Sequence, residues 1–121
     1  MTATNAQITQ ALAMALAAID ELKGEAVNTF DVTELTTITD YMVICSGQSA
    51  RHVKSIANHV VEQAKKAQLQ PRVEGLEEAE WVLIDLNGVI VHVLQPTARA
   101  YYQIEKLWDI DPGAAASRHS N

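Results

Sequence analysis

A single cysteine, Cys45, in 121 residues leaves no partner for an internal disulfide and no cysteine cluster for zinc. It lies in the run YMVICS, where a thiol packs as a small hydrophobe. Basic residues are scarce too: nine Lys and Arg against fifteen Asp and Glu give a formal charge of −6. That balance argues against a nucleic-acid backbone as the main partner, because such binding rests on cations that displace counterions from phosphates, and it suits a basic protein surface better. No apolar run approaches the roughly 20 residues that span a bilayer. The amino terminus has neither a basic flank before an apolar stretch nor the Arg-rich make-up of a transit peptide. A cytoplasmic protein with no membrane partner is expected. With 48% hydrophobic and 20% charged residues, what remains is the make-up of one globular domain with a modest core.

Hydrophobic spacing divides the chain. Ile8, Leu12, Leu16, Ile19 and Leu22 recur at helical intervals behind a Thr4/Gln7 capping box, which predicts a helix over 6–23 that stops at Gly24. AVNTFDV (26–32) and DYMVICS (40–46) read as strands joined by the polar connector TELTTIT. Ser49 is placed to cap a second helix running to about Leu69, with Val53, Ile56, Ala57, Val60, Ala64 and Ala67 as its apolar stripe. PRVEG suggests a short strand, and Glu77, Glu78 and Glu80 crowd into a solvated approach to Trp81. After Pro96 a helix is predicted through Trp108, with Tyr101, Ile104, Leu107 and Trp108 inward and Arg99, Tyr102 and Lys106 outward. Periodicity then vanishes, so 1–108 reads as the domain and 109–121 as a disordered tail. The order αββα(β)ββα predicts an α/β domain with a mixed sheet flanked by helices.

WVLIDLNGVIVHVLQ (81–95) is the most informative stretch. Asn87-Gly88 signals a two-residue type I′ turn, which pairs Leu86 with Val89, Asp85 with Ile90, Ile84 with Val91, Leu83 with His92, Val82 with Val93 and Trp81 with Leu94. One face is then wholly aliphatic and belongs against the helices. The other carries Trp81, Leu83, Asp85, Ile90, His92 and Leu94, with His92 diagonal to both Trp81 and Asp85. Because a buried unpaired charge is costly, Asp85 and His92 must bond each other, meet backbone or water, or lie where solvent and a partner reach them. An orienting pair, a docking face and a catalytic pair are all open readings.

Enzymatic and metal chemistry find little support. CSGQS has the strand-glycine-serine-helix form that can aim amides at an anion, yet it lacks both the phosphate-loop and dinucleotide fingerprints. Asp85 has only Asn87 two residues on, so the carboxylate clamp of a nucleotidyl-transferring enzyme is missing. His52 and His59 stand two turns apart on the second helix, about 10 Å, too far to share one ion. No cofactor and no metal are expected; a nucleotide-binding or nucleotidyl-transferring enzyme using Ser46, Gly47, Gln48, Ser49 and Asp85 remains the alternative.

ITDYMVICSGQSARHVKSIANHVV (38–61) and WVLIDLNGVIVHVLQPTARAYYQIEKLW (81–108) resemble the ribosomal silencing factor, or Iojap-like, family. The shared blocks are D-Y-x-V-I, S-G-x-S-x-R, W-V-x-x-D, V-H-V and R-x-x-Y-x-x-E-x-L-W, in that order, within a likeness running from Gln7 to Trp108. The resemblance implies a nucleotidyltransferase-like topology without enzymatic activity. It implies binding to the large ribosomal subunit through large-subunit ribosomal protein fourteen, a steric block to subunit joining that represses translation under nutrient limitation, and a tendency to form homodimers. It points to Asp40, Tyr41, Arg51, His52, Trp81, Asp85, His92, Arg99, Tyr102 and Glu105 as partner-binding residues, with Trp81 and Tyr102 as aromatic anchors.

Overall fold

A computed structural model describes residues 4–107. Helix α1 (Asn5–Glu21) starts on the capping box read from the sequence: the Thr4 hydroxyl accepts from the Gln7 amide while the Gln7 side chain accepts from the Thr4 amide. Strands β1 (Glu25–Asp31) and β2 (Tyr41–Ser46) follow, then α2 (Ala50–Lys66), β3 (Arg72–Glu74), β4 (Trp81–Asp85), β5 (Val89–Leu94) and α3 (Pro96–Tyr102), with a single 3₁₀ turn over Ile104–Leu107. The five strands form one sheet in the order β1-β2-β5-β4-β3. Only β2 and β5 run parallel, joined through α2 and the β3/β4 segment, and every other pair is antiparallel.

The hairpin register is the predicted one at every position from Trp81↔Leu94 to Asp85↔Ile90. Asn87 and Gly88 both take positive φ, 62° and 106°, as the type I′ turn requires, and the Leu86 amide bonds the Val89 carbonyl across it. Alternation then sorts the side chains. Val82, Ile84, Leu86, Val89, Val91 and Val93 join Val43 and Cys45 of β2 under α1 and α2, where Ile19, Val53, Ile56, Ala57 and Val60 complete the main core. Each of the larger aliphatic side chains contributes about 2 kcal/mol by burial. Cys45 is fully buried there, as expected, and burial pushes its thiol up to about 12.

Helix α1 and strand β1 lie within two residues of the sequence reading, and two later elements depart from it further. Helix α2 ends at Lys66, short of the expected Leu69, and Ala67 is an exposed C-cap and no part of the apolar stripe. The predicted helix from Pro96 to Trp108 is broken at Gln103, whose left-handed backbone (φ 50°) stops α3 after seven residues. The break turns the face of the segment. Tyr101 and Leu107 point outward and Arg99 inward, the reverse of the helical-wheel expectation, while Ile104 is buried as expected. Trp108 and the tail from Asp109 lie outside the described residues.

Candidate docking surface

The second sheet face is built in three rows across the strands. Nearest the Asn87-Gly88 turn stand Phe30, Met42, Ile90, Asp85 and Arg72; next come Asn28, Ile44, His92, Leu83 and Glu74; last are Ser46, Leu94 and Trp81. Trp81, Asp85 and His92 therefore do share this face. Ala98 of α3 and Ile104 of the 3₁₀ turn close over part of it, forming a smaller core with Phe30, Val32, Met42, Ile44, Ile90 and Leu94.

His92 is only 7% exposed and does not bond Asp85. The Trp81 indole N–H donates to His92 Nδ1 at 2.9 Å, so the ring proton sits on Nε2, which faces Met42 Sδ at 2.9 Å. Burial lowers the His92 pKa to about 4 and keeps the ring neutral at physiological pH. Asp85 instead accepts the Asn87 amide at 2.9 Å, which pins the turn, and faces the exposed Arg72 guanidinium of β3 at 3.5 Å. The orienting-pair and catalytic-pair readings of Asp85 with His92 thus have no geometric basis.

Arg99 and Glu105, expected on a docking face, are joined to each other. Arg99 clasps Glu105 through Nε (3.0 Å) and Nη2 (2.9 Å) and gives Nη1 to the buried Ser46 hydroxyl at 2.9 Å. Asn28 Nδ2 adds a third bond to Glu105. These hydrogen bonds, Arg99's first, hold the Glu105 carboxyl below the usual range against the opposing effect of burial. The cluster straps the 3₁₀ turn and α3 to β1 and β2.

His52 is likewise occupied. The Gln48 amide donates to its Nδ1 at 2.9 Å, and its Nε2–H donates to the Leu22 carbonyl at 2.8 Å, tying the end of α1 to the start of α2. One amide of the CSGQS turn is thereby taken by an imidazole, and the Ser49 hydroxyl caps the His52 amide. His59 bonds Glu21 at 2.6 Å, a second tie between the same helices. Tyr41 packs half-buried against the main core, Asp40 holds its place through backbone bonds to Val32 and Gly88, and Arg51 is exposed on α2.

What stays open is a strip around β4 and α3. Trp81 and Leu83 are half-buried, Tyr102 is 48% exposed and packs on Trp81 with ring centroids 5.0 Å apart, and Tyr101 is 80% exposed and meets Tyr102 edge-on at 4.9 Å. Glu80, Thr97 and Ala98 line a groove beside the two tyrosines. Tyr101 is the member that helical spacing missed, since it shares a face with the buried Ile104 only if the helix runs on through Gln103; Arg72 was missed because three-residue β3 gives almost no pattern. Exposed aromatics beside a carboxylate suit cationic and apolar groups of another macromolecule. Among the described residues no three His, Cys, Asp or Glu side chains group to hold a metal ion, and no helix is long and apolar enough to cross a membrane.

Comparison with known proteins agrees in fold and sequence. The family model for ribosomal silencing factor during starvation matches residues 5–120. The chain is 39% identical over 102 residues to the ribosomal silencing factor of Bacillus subtilis, covering 84% of this chain and 86% of that one. It is 34% identical over 76 residues to a Mus musculus protein named mitochondrial assembly of ribosomal large subunit protein 1, of which it covers 33% (60% of this chain). The crystal structure of a Chromobacterium violaceum protein superposes with a TM-score of 0.82 at 38% identity, covering 84% of this chain and 85% of that one. The mixed five-stranded sheet with its helices is therefore the fold of these relatives, and the chain belongs to the ribosomal silencing factor family, whose role is ribosome-associated silencing.

Proposed function

We propose that this protein binds the large ribosomal subunit through large-subunit ribosomal protein fourteen and, by occupying that surface, keeps the small subunit from joining, so that translation falls when nutrients are scarce. The reading rests on family membership, and the observation that carries it to this molecule is the aromatic strip of Trp81, Tyr102 and Tyr101 left open beside Glu80 and Leu83. Aromatic rings bury large area with few rotors, which makes them anchors at interfaces, and the acidic chain suits a basic ribosomal protein. Occupancy requires affinity and no bond-making. The anchors are Trp81 and Tyr102 with Tyr101 beside them, and Asp85 stands on the same face at the far end of β4; His92, Arg99 and Glu105 act by holding that strip in shape. Sedimentation of purified subunits with the protein added is the test. Co-migration with the large subunit and a smaller peak of joined ribosomes is expected, and joining at the normal level despite saturating protein would remove the proposal.

A further inference from the structure

The opposite side of the molecule has a different chemistry. Helix α2 carries Arg51, Lys54, Lys65 and Lys66, four of the nine basic residues of a chain whose formal charge is −6. At 100° per residue these four and Asn58 fall within about 120° of one another, on the side away from Val53, Ile56, Ala57 and Val60. All four cations are exposed, and none forms an ion pair among the described residues, although carboxylates outnumber cations; of the other described cations, Arg72 and Arg99 each face a carboxylate and the scattered Lys23 and Lys106 do not. Glu62, the single carboxylate of the helix, falls within the same arc and faces His59 at 3.6 Å at its edge, so the outer face carries four cations against one carboxylate.

Helix stability does not account for the arrangement. Lys65 and Lys66 in the last turn complement the negative end of the helix dipole, but Arg51 stands in a first turn with no acidic residue, and Lys54 follows one turn on. Cations there oppose the positive end of the dipole, so their placement costs the fold and needs a reason outside it. The two pairs sit at opposite ends of the helix, about 20 Å apart. Three of the four are lysines, which act as point charges toward phosphate and need no fork geometry.

We infer that the outer face of α2 is a second contact surface, fitted to the phosphate backbone of structured RNA in a sequence-independent way. The inference extends the proposed docking on a ribosomal subunit and rests on it for its setting. The aromatic strip and the basic helix lie on opposite sides of the sheet, so a protein surface can be held by one while RNA lies along the other. The low overall basicity limits this contact to a supplement, since four cations neutralise at most about four phosphates.

Titrating the full chain into a labelled RNA hairpin of arbitrary sequence, at a series of potassium chloride concentrations, tests this without any ribosomal protein present. Binding is expected to be weak and steeply salt-dependent, with a slope of log K against log salt near about −3. The double variant Arg51→Glu with Lys54→Glu should flatten that slope by about 2 and weaken binding at least about tenfold at low salt. Lys65→Gln with Lys66→Gln should flatten it similarly from the other end, and circular dichroism should show both variants folded. Absence of binding at low salt, or equal binding by parent and both variants, would overturn the inference. So would displacement of the RNA by polyglutamate at equal charge, which would assign the face to an acidic protein. Failure in this assay with normal co-migration on the large subunit would leave the proposed docking standing; normal RNA binding with no co-migration would do the opposite.

Discussion

The two faces of the central sheet are made from the same strands and meet different fates. Under α1 and α2 the residues are aliphatic and fully buried, and the packing is closed within the chain. On the reverse, a short helix and one 3₁₀ turn cover part of the sheet, and the polar groups beneath them are tied by specific bonds: Trp81 to His92, Arg99 to Ser46 and Glu105, Asn28 to Glu105. The first face is held by area; the second adds partners to a smaller apolar core. A face held by partners can leave a strip open without losing its shape, and that strip is where Trp81, Tyr102 and Tyr101 line up.

Damage to the two faces should therefore differ in kind. The largest loss is expected on the helix side: Ile84→Ala removes three buried carbons from a site with no exposed surface and should cost about 3–4 kcal/mol, read as a lowered urea midpoint with an unchanged slope.

Second comes a pH effect seated on the reverse face. The His92 pKa is about 4, below the 6.5 of a free histidine, because burial opposes the charged ring. The unfolded chain therefore takes up this proton first as pH falls. The stability due to the neutral ring is complete above pH 6.5 and is lost progressively down to about pH 4, by about 3 kcal/mol in all. Urea titrations at pH 7 and pH 5 should show this slope in the parent and not in His92→Gln. An equal slope in both would place the proton uptake elsewhere.

Arg99→Ala should follow. It strands Glu105 and the Ser46 hydroxyl, yet Glu105 is partly open to solvent, so the loss is expected at about 1–2 kcal/mol, less than for a fully buried pair. Faster amide exchange confined to α3 and the 3₁₀ turn would be its signature. The smallest stability change belongs to Tyr101→Ser, within about 0.5 kcal/mol, because the ring is 80% exposed. This same variant should weaken co-migration with the large subunit clearly. A variant that unfolds easily or one that sediments normally would each contradict the division between faces.

The closed face was readable because alternation plus one turn determines it: once Asn87-Gly88 sets the pairing, the direction of every hairpin side chain follows. Bonds on the other face depend on residues distant in sequence. Asp85 looks like a partner for His92 until Arg72 of β3 and the Asn87 amide take its carboxylate, and His92 turns to Met42, fifty residues away. The third helix misled for a local reason. Its pattern continues through Trp108, and nothing in Gln103 itself announces a left-handed backbone; the turn there lets Arg99 and Glu105 meet. Of the ten residues singled out by family motifs, His52, His92, Arg99 and Glu105 spend their polar groups inside the chain, which shows how a motif can mark architecture as readily as contact.

His52 carries one more implication. Its imidazole spans the gap between the Gln48 amide and the Leu22 carbonyl, so the mouth of the strand-to-helix bend is stoppered by the protein's own side chain. A nucleotide phosphate arriving there would have to evict that ring and give up one of the two polar ties between α1 and α2 in the same event. Any anion this molecule holds is better met on the outer lysines and arginine of the same helix, where nothing must first be dislodged.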